Sequence, residues 1–421
     1  MSPEITTDHP ALKIFGSPRS ARAYAIRDFL GRSDVPFQFV PIENEEHARR
    51  LGVNNEDDPR LPLCLFPDGS RIECPTIRQI ADKLGWLRDP LRSEYDLAIY
   101  GGGPAGLSAA VYGASEGLRT VLIERSAIGG QAGTSSKIEN YLGFPKGISG
   151  ADLAKAAREQ ATRFGAEILL LREGVRAEFE TGRGVGYLAD GTKIIAHATI
   201  CATGVAYRRL NLPNEDELLG AGLYYGAGAS EAALCKGQEV FIVGGGNSAG
   251  QAAVHFARYA RKVTMIVREH CLKQTLSQYL VDQILGTPNI AVLHHNEVTA
   301  LHGNGTLRGI TVTNNQTGQK TEFHACWLFL CLGGLPHTEW AAKLDIQRDE
   351  DGYLVTGPDL AHNGDPRADW PLERAPYFLE TSKPGLFAAG DVRHGSVKRC
   401  ASAVGEGAMA VAFVHRFLAG S

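Results

Sequence analysis

Two glycine clusters are the residues whose spacing speaks most directly to chemistry. Gly101, Gly103 and Gly106 form Gly-x-Gly-x-x-Gly between an apolar strand pattern, Tyr95 to Tyr100, and a helical one, Leu107 to Glu116. A second strand pattern, Thr120 to Glu124, then ends on an acid. This order suits a dinucleotide. Gly101 permits a tight turn, Gly103 lets pyrophosphate approach a helix N-terminus whose free N–H groups and dipole favour an anion, and Gly106 lets helix and strand close up. Glu124 then stands where a carboxylate accepts the hydroxyls of an adenosine ribose. The plan recurs with Gly244, Gly246 and Ala249, set between strand Glu239 to Val243 and a helix through Arg258, with strand Lys262 to Val267 beyond.

Positioning two such clusters takes two Rossmann-like βαβ units, and 421 residues allow about three domains at roughly 150 residues each. The third lies at the N-terminus. Strand Leu12 to Phe15, helix Ser20 to Leu30, strand Phe37 to Pro41, a hairpin over Leu63 to Cys74 and helix Thr76 to Leu84 make a small βαββα unit over residues 1–86, and 87–94 read as a linker. The fold class is α/β. A chain with 43% hydrophobic and 21% charged residues is an ordinary globular one, and a net charge of -4 without a basic stripe excludes nucleic acid and anionic membranes as expected partners. MSPEITTDHP has neither a basic nor an apolar run, and no apolar stretch of about 18 residues follows, so the expectation is a cytoplasmic protein. Eight cysteines, at 64, 74, 201, 235, 271, 326, 331 and 400, include no Cys-x-x-Cys and suggest neither disulfides nor zinc. His294, His295 and His337 lack metal-ligand spacing.

Further motifs carry a resemblance. Gly129-Gly130-Gln131, Ile138 to Pro145 with Asn140 inside it, Ala202-Thr203-Gly204 and Pro384 to Val392 are together similar to the low molecular weight thioredoxin reductases, over about 95–421. The resemblance implies FAD in a discontinuous domain, 95–210 and 333–421, with a nicotinamide domain, 211–332, inserted. It implies FAD contacts from Gly101, Gly103, Pro104, Ala105, Gly106, Glu124 and Arg125, and from Gly130, Gln131, Asn140, Ala202, Thr203 and Gly204 at the flavin side. Gly390 and Asp391 would face the ribityl chain, and Arg399, Cys400 and Ala401 would begin a helix aimed at the flavin's pyrimidine edge. A helix dipole there stabilises negative charge on the reduced ring. Lys398 and Arg399 read either as flavin contacts or as surface residues. For the second cluster the resemblance implies NADPH contacts from Gly244, Gly246, Asn247, Ser248 and Ala249, with Arg268 and Lys273 gripping the 2′-phosphate. Glu269 replaces the second arginine of the family's pair and keeps NADH open; Arg268 and Lys273 also read as solvated surface. Reductases of this kind are generally homodimers.

One departure governs function. Thioredoxin reductases carry a Cys-x-x-Cys before the second cluster, where this chain has Tyr224-Tyr225-Gly226-Ala227-Gly228-Ala229-Ser230-Glu231. Disulfide exchange needs a thiolate, so thioredoxin reduction by that route is excluded. Ungapped counting puts Ser230 at the second cysteine and Glu231 at the acidic proton donor; the same residues also read as a helix N-cap and its first-turn acid. Cys235, farther along that helix, reads as core. The N-terminal unit resembles a glutaredoxin with both cysteines of its Cys-Pro-x-Cys replaced, at Ser17-Pro18-Arg19-Ser20, and Pro62 in the cis-proline place. It leaves a peptide or thiol groove, a docking face, or a structural appendage. The expected activity is an FAD-dependent NAD(P)H oxidoreductase passing electrons to oxygen, a quinone, a small metabolite or a redox protein. A ferredoxin–NADP reductase-like enzyme, a biosynthetic flavin oxidase or dehydrogenase, and a redox-inactive flavin-binding sensor are the alternatives. The stretch Asp359 to Pro376 reads as a substrate lid or a plain surface insertion.

Overall fold

The computed structural model describes residues 12–33, 35–42, 44–56, 58–135, 137–180, 182–226, 231–360 and 370–420. Ser230 and residues 361–369 of the Asp359 to Pro376 stretch lie outside the described residues. The chain forms two compact units, Met1–Gly85 with Leu210–Cys331, and Trp86–Arg209 with Leu332–Ser421.

The first unit holds two main sheets. At its N-terminal end, strands Phe37–Pro41, Leu12–Gly16, Leu63–Leu65 and Arg71–Glu73 lie in that order, the first pair parallel and the others antiparallel. Helix Ala21–Arg32 starts where the Ser20 side chain accepts from Ala23 N–H, and helix Ile77–Lys83 starts from a Thr76/Gln79 capping box. The Leu61–Pro62 peptide is cis. An additional helix, Glu45–Arg50, departs from the βαββα expectation. It buries Ala48 alone, so no apolar period announces it; Asn44 caps it and Glu45–Arg49 and Glu46–Arg50 pairs run along it. The inserted part is a parallel sheet of Leu223–Tyr225, Leu328–Leu330, Glu239–Val243, Lys262–Val267 and Ile290–His294, followed by three antiparallel strands between Asn296 and His324.

Helix Ala21–Arg32 fastens the N-terminal sheet to this inserted part. A Cβ at Gly220, whose φ is +75°, would lie 2.8 Å from the Cα of Ala21, and Tyr24 meets Tyr224 edge-on at 4.9 Å between ring centroids. Arg27 and Glu231 form an ion pair at 3.7 Å with side chains 2% and 1% exposed. Arg27 also donates to the carbonyls of Ala23 and Pro18 and lies over the Phe39 ring. Desolvating two charges is costly, and only their mutual attraction and the added hydrogen bonds offset it.

The second unit is built on one sheet in the order Glu167–Leu170, Thr120–Glu124, Glu94–Tyr100, Lys193–Cys201, Arg183–Leu188 and Gly174–Glu180. Strand Leu386–Ala388, from the far end of the chain, pairs in parallel with Thr199–Cys201. Two boundaries depart from expectation. Glu94, assigned to the linker, belongs to the strand because it pairs with Ile195. The first-cluster helix begins at Pro104 rather than Leu107, since a proline at the first helical position lacks an N–H that would have had no intrahelical partner anyway. Its small residues admit helix Cys400–Ala419: Gly407 sits against the Ala105 carbonyl, which an added Cβ would strike, and Ser108 Oγ donates to the Val404 carbonyl at 2.7 Å.

Two variants test these packings by thermal unfolding. Arg27→Ala leaves Glu231 buried without its guanidinium and is expected to cost about 3 kcal/mol, whereas the double change Arg27→Met with Glu231→Leu regains most of it. Gly407→Ala is expected to cost about 2 kcal/mol by overpacking the two helices. Melting unchanged from the parent in either single variant contradicts the corresponding packing.

Candidate functional site

The first glycine cluster is a backbone cradle. Gly101 has φ +112°, and a Cβ there would run into the Ala202 carbonyl; a Cβ at Gly106 would run into the Gly101 carbonyl. Gly103 is the N-cap of helix Pro104–Ser115 and receives no side-chain cap. Its missing Cβ would find only the Gly130 Cα within 4 Å, at 3.9 Å. The helix thus presents free N–H groups above open space, the arrangement an anion needs. Gly390, with φ +77°, approaches from the C-terminal segment so closely that its Cβ would lie 2.9 Å from that of Ala105. Gly101, Gly103, Ala105, Gly130, Ala202 and Gly390 therefore converge.

Side chains around the cradle divide by surroundings. Glu124 is buried and accepts from Gly102 N–H at 2.6 Å through Oε2 and from Ser126 N–H at 2.7 Å through Oε1. Gln131 donates to the Val205 carbonyl at 2.8 Å, and Thr203 lies beside Cys201 at 3.5 Å. Arg125, Asn140, Thr203, Arg399 and Ala401 are exposed, and Gly204 and Cys400 are half-buried. Burial raises the Asp391 carboxyl above the usual range, against the opposing pull of Lys398. Lys398 itself donates to the Asp391 carbonyl at 2.7 Å rather than to its carboxylate, and its ammonium lies over the Tyr353 ring. Helix Cys400–Ala419 begins after Arg399 without a side-chain cap, leaving a second free N-terminus.

Sequence reasoning missed what holds this loop. Glu406, on helix Cys400–Ala419, accepts from Gly390 N–H at 2.7 Å and forms a two-point ion pair with Arg393, at 2.7 and 3.2 Å. Its partners lie more than a helical turn away in sequence, so no local spacing marks it. Acids on a mostly apolar helix are the available signal.

The second cluster repeats the geometry. Gly244 has φ +136° and is pressed against the Cys331 carbonyl; Gly246 caps helix Asn247–Phe256 with nothing near its missing Cβ. Ala249 is buried, Ser248 is exposed, and Asn247 is held by Ser277 through Nδ2–Oγ at 2.9 Å and N–Oδ1 at 2.8 Å. Arg268 and Lys273 are exposed, with Arg268 Nε donating to Glu269 Oε1 at 2.8 Å. These residues fit an adenine dinucleotide laid across the helix N-terminus, as the first cluster's residues fit FAD.

Glu231 stands at the head of a 3-10 turn, Ala232–Cys235, instead of the helix expected there, and gives no side-chain cap. The preceding strand ends at Tyr225, and a single turn is all that separates Glu231 from Lys236. Cys235 is buried, and desolvation with Glu231 nearby pushes its thiol far up. The described residues contain no group of three or more possible metal ligands, and no helix among them is long and apolar enough to cross a membrane.

The family model of pyridine nucleotide-disulphide oxidoreductases matches residues 95–407, leaving the preceding segment outside it. NADPH-dependent thioredoxin reductase 3 of Arabidopsis thaliana is 32% identical over 77% of this chain, which spans 58% of that relative. Thioredoxin reductase of Bacillus subtilis is 33% identical over 77% of this chain and 95% of its own length. The crystal structure of Lactococcus lactis thioredoxin reductase superposes with a TM-score of 0.69 at 28% identity, covering 78% of this chain and all of that one. The chain belongs to the pyridine nucleotide-disulphide oxidoreductase family, as a flavoprotein oxidoreductase of the thioredoxin reductase type, a family whose cofactors are FAD and NADPH.

Proposed function

We propose that this protein is an FAD-dependent NAD(P)H oxidoreductase whose electrons leave for an acceptor other than a protein disulfide: oxygen, a quinone, a small metabolite or a redox protein. The thiol inventory carries this reading. All eight cysteines are free, and none stands three residues from another. Burial pushes the thiols of Cys64 and Cys331 up to about 12 and that of Cys400 up to about 11, the opposite of what an attacking thiolate needs. FAD supplies the two-electron exchange between nucleotide and acceptor. Gly101, Gly103, Pro104, Ala105 and Gly106 would hold its pyrophosphate, with Glu124 and Arg125 at the adenosine. Gly130, Gln131, Asn140, Ala202, Thr203, Gly204, Gly390, Asp391, Arg399, Cys400 and Ala401 would line the rest, Asp391 taking a ribityl hydroxyl.

The N-terminal segment we read as a glutaredoxin-like domain without its redox pair. Its mixed sheet and the helix opening at Ser20 support that, and the Arg27–Glu231 pair supports docking within its own unit over a free peptide groove. Glu231 so held is better suited to fixing that contact than to donating protons. We further read the protein as a cytoplasmic homodimer.

Anaerobic titration with NADH and NADPH, followed by candidate acceptors, tests the reading. The flavin should bleach within minutes and recover with oxygen or a quinone, while thioredoxin disulfide leaves it reduced; reoxidation by thioredoxin disulfide at comparable rates would falsify the proposal. Asp391→Ala is expected to weaken FAD retention by about tenfold, the worth of a hydrogen bond to a charged group, as read from flavin content after dialysis.

A further inference from the structure

Resting on the reading that the second cluster binds a reduced nicotinamide nucleotide, we propose that Glu269 selects the nucleotide and that this chain takes NADH in preference to NADPH. The two clusters can be compared residue by residue. In the first, Glu124 Oε2 lies 3.1 Å from where a Cβ on the middle glycine, Gly102, would be. In the second, Glu269 Oε2 lies 3.0 Å from the same point on Gly245. Both carboxylates thus stand beside the middle glycine, although Glu124 closes its strand and Glu269 comes two residues after Val267. That place is the ribose end of the cradle, where a carboxylate accepts the 2′-hydroxyl. A phosphate on that hydroxyl would bring like charge against Glu269.

The nearby cations do not offset this. Arg268 is turned onto Glu269 itself, and Lys273 is exposed on the 3-10 turn Leu272–Gln274. The turn is also pinned. The Glu269 carbonyl accepts from His295 N–H at 3.3 Å and lies 3.3 Å from His294 Nδ1, and Asn315 Nδ2 donates to the Arg268 carbonyl at 3.0 Å. Thr275 Oγ1 donates to the Gly245 carbonyl at 2.5 Å, fixing the glycine against which the carboxylate rests. The residues of this chain therefore fit a free ribose better than the 2′-phosphate that the family's usual nucleotide carries.

Calorimetric titration of the full-length holoprotein with ADP-ribose and with 2′-phospho-ADP-ribose reads the choice without turnover, and anaerobic bleaching by NADH and NADPH reads it in the reaction. The parent is expected to favour the unphosphorylated ligand by about tenfold in both. Glu269→Ser should abolish that preference and, by releasing Arg268, tighten binding of the phosphorylated ligand; adding Arg268→Ala should remove the gain. Tighter parent binding of 2′-phospho-ADP-ribose, an unchanged ratio in Glu269→Ser, or no binding of either ligand overturns the proposal. Preferential ADP-ribose binding without bleaching by either nucleotide upholds it and sinks the oxidoreductase reading instead.

Discussion

Leu386–Ala388 lies in parallel register with Thr199–Cys201, and the cofactor cradle depends on that pairing. It draws the last segment of the chain into a sheet begun at Glu94 and sets Gly390 against Ala105. Contacts this close leave no room for side chains, which is why glycine recurs at each crossing: Gly101 under Ala202, Gly106 under Gly101, Gly407 over Ala105. Helix Cys400–Ala419 completes the arrangement by supplying Glu406, whose carboxylate ties the Gly390 backbone to Arg393.

Buried acids in this molecule are matched to donors. Glu380 is held by Arg374 and by Gly385 N–H, Glu406 by Arg393 and Gly390 N–H, and Glu231 by Arg27. Asp391 differs. Burial raises its carboxyl, and the neighbouring ammonium bonds its carbonyl instead. A desolvated acid of this kind gains most from a hydroxyl brought in by a ligand. Structural acids and the candidate ligand acid are thereby separated by what already faces them.

The two dinucleotide clusters use one backbone device with different accessories. Each opens a capless helix N-terminus beside a carboxylate, and the difference lies in cations. Glu124 faces backbone N–H groups, whereas Glu269 draws in the guanidinium next to it in sequence. The absence of a Cys-x-x-Cys touches neither cradle.

Much of this was legible from residue order. The spacing of Gly101, Gly103 and Gly106 between strand and helix, its repetition at Gly244, and the absence of Cys-x-x-Cys follow from local pattern, because turns, helix starts and thiol pairs are set by neighbours in sequence. The helix Glu45–Arg50 was not legible, since capping and ion pairs build it without an apolar stripe. Glu231 reads from sequence as a proton donor or a first-turn acid, and its Arg27 partner comes from a distant part of the chain; Glu406 carried only the weak signal of an acid on a mostly apolar helix. Glu269 was visible as an odd residue in a basic pair, yet its nearness to Gly245 depends on how the turn after Val267 folds back. The sequence by itself determined the glycine cradles and the absence of a Cys-x-x-Cys; only the tertiary structure decided which guanidinium each carboxylate meets, because Arg27 and Glu231 lie far apart along the chain and even the nearer pairs, Arg374 with Glu380 and Arg393 with Glu406, meet only as the intervening chain folds back.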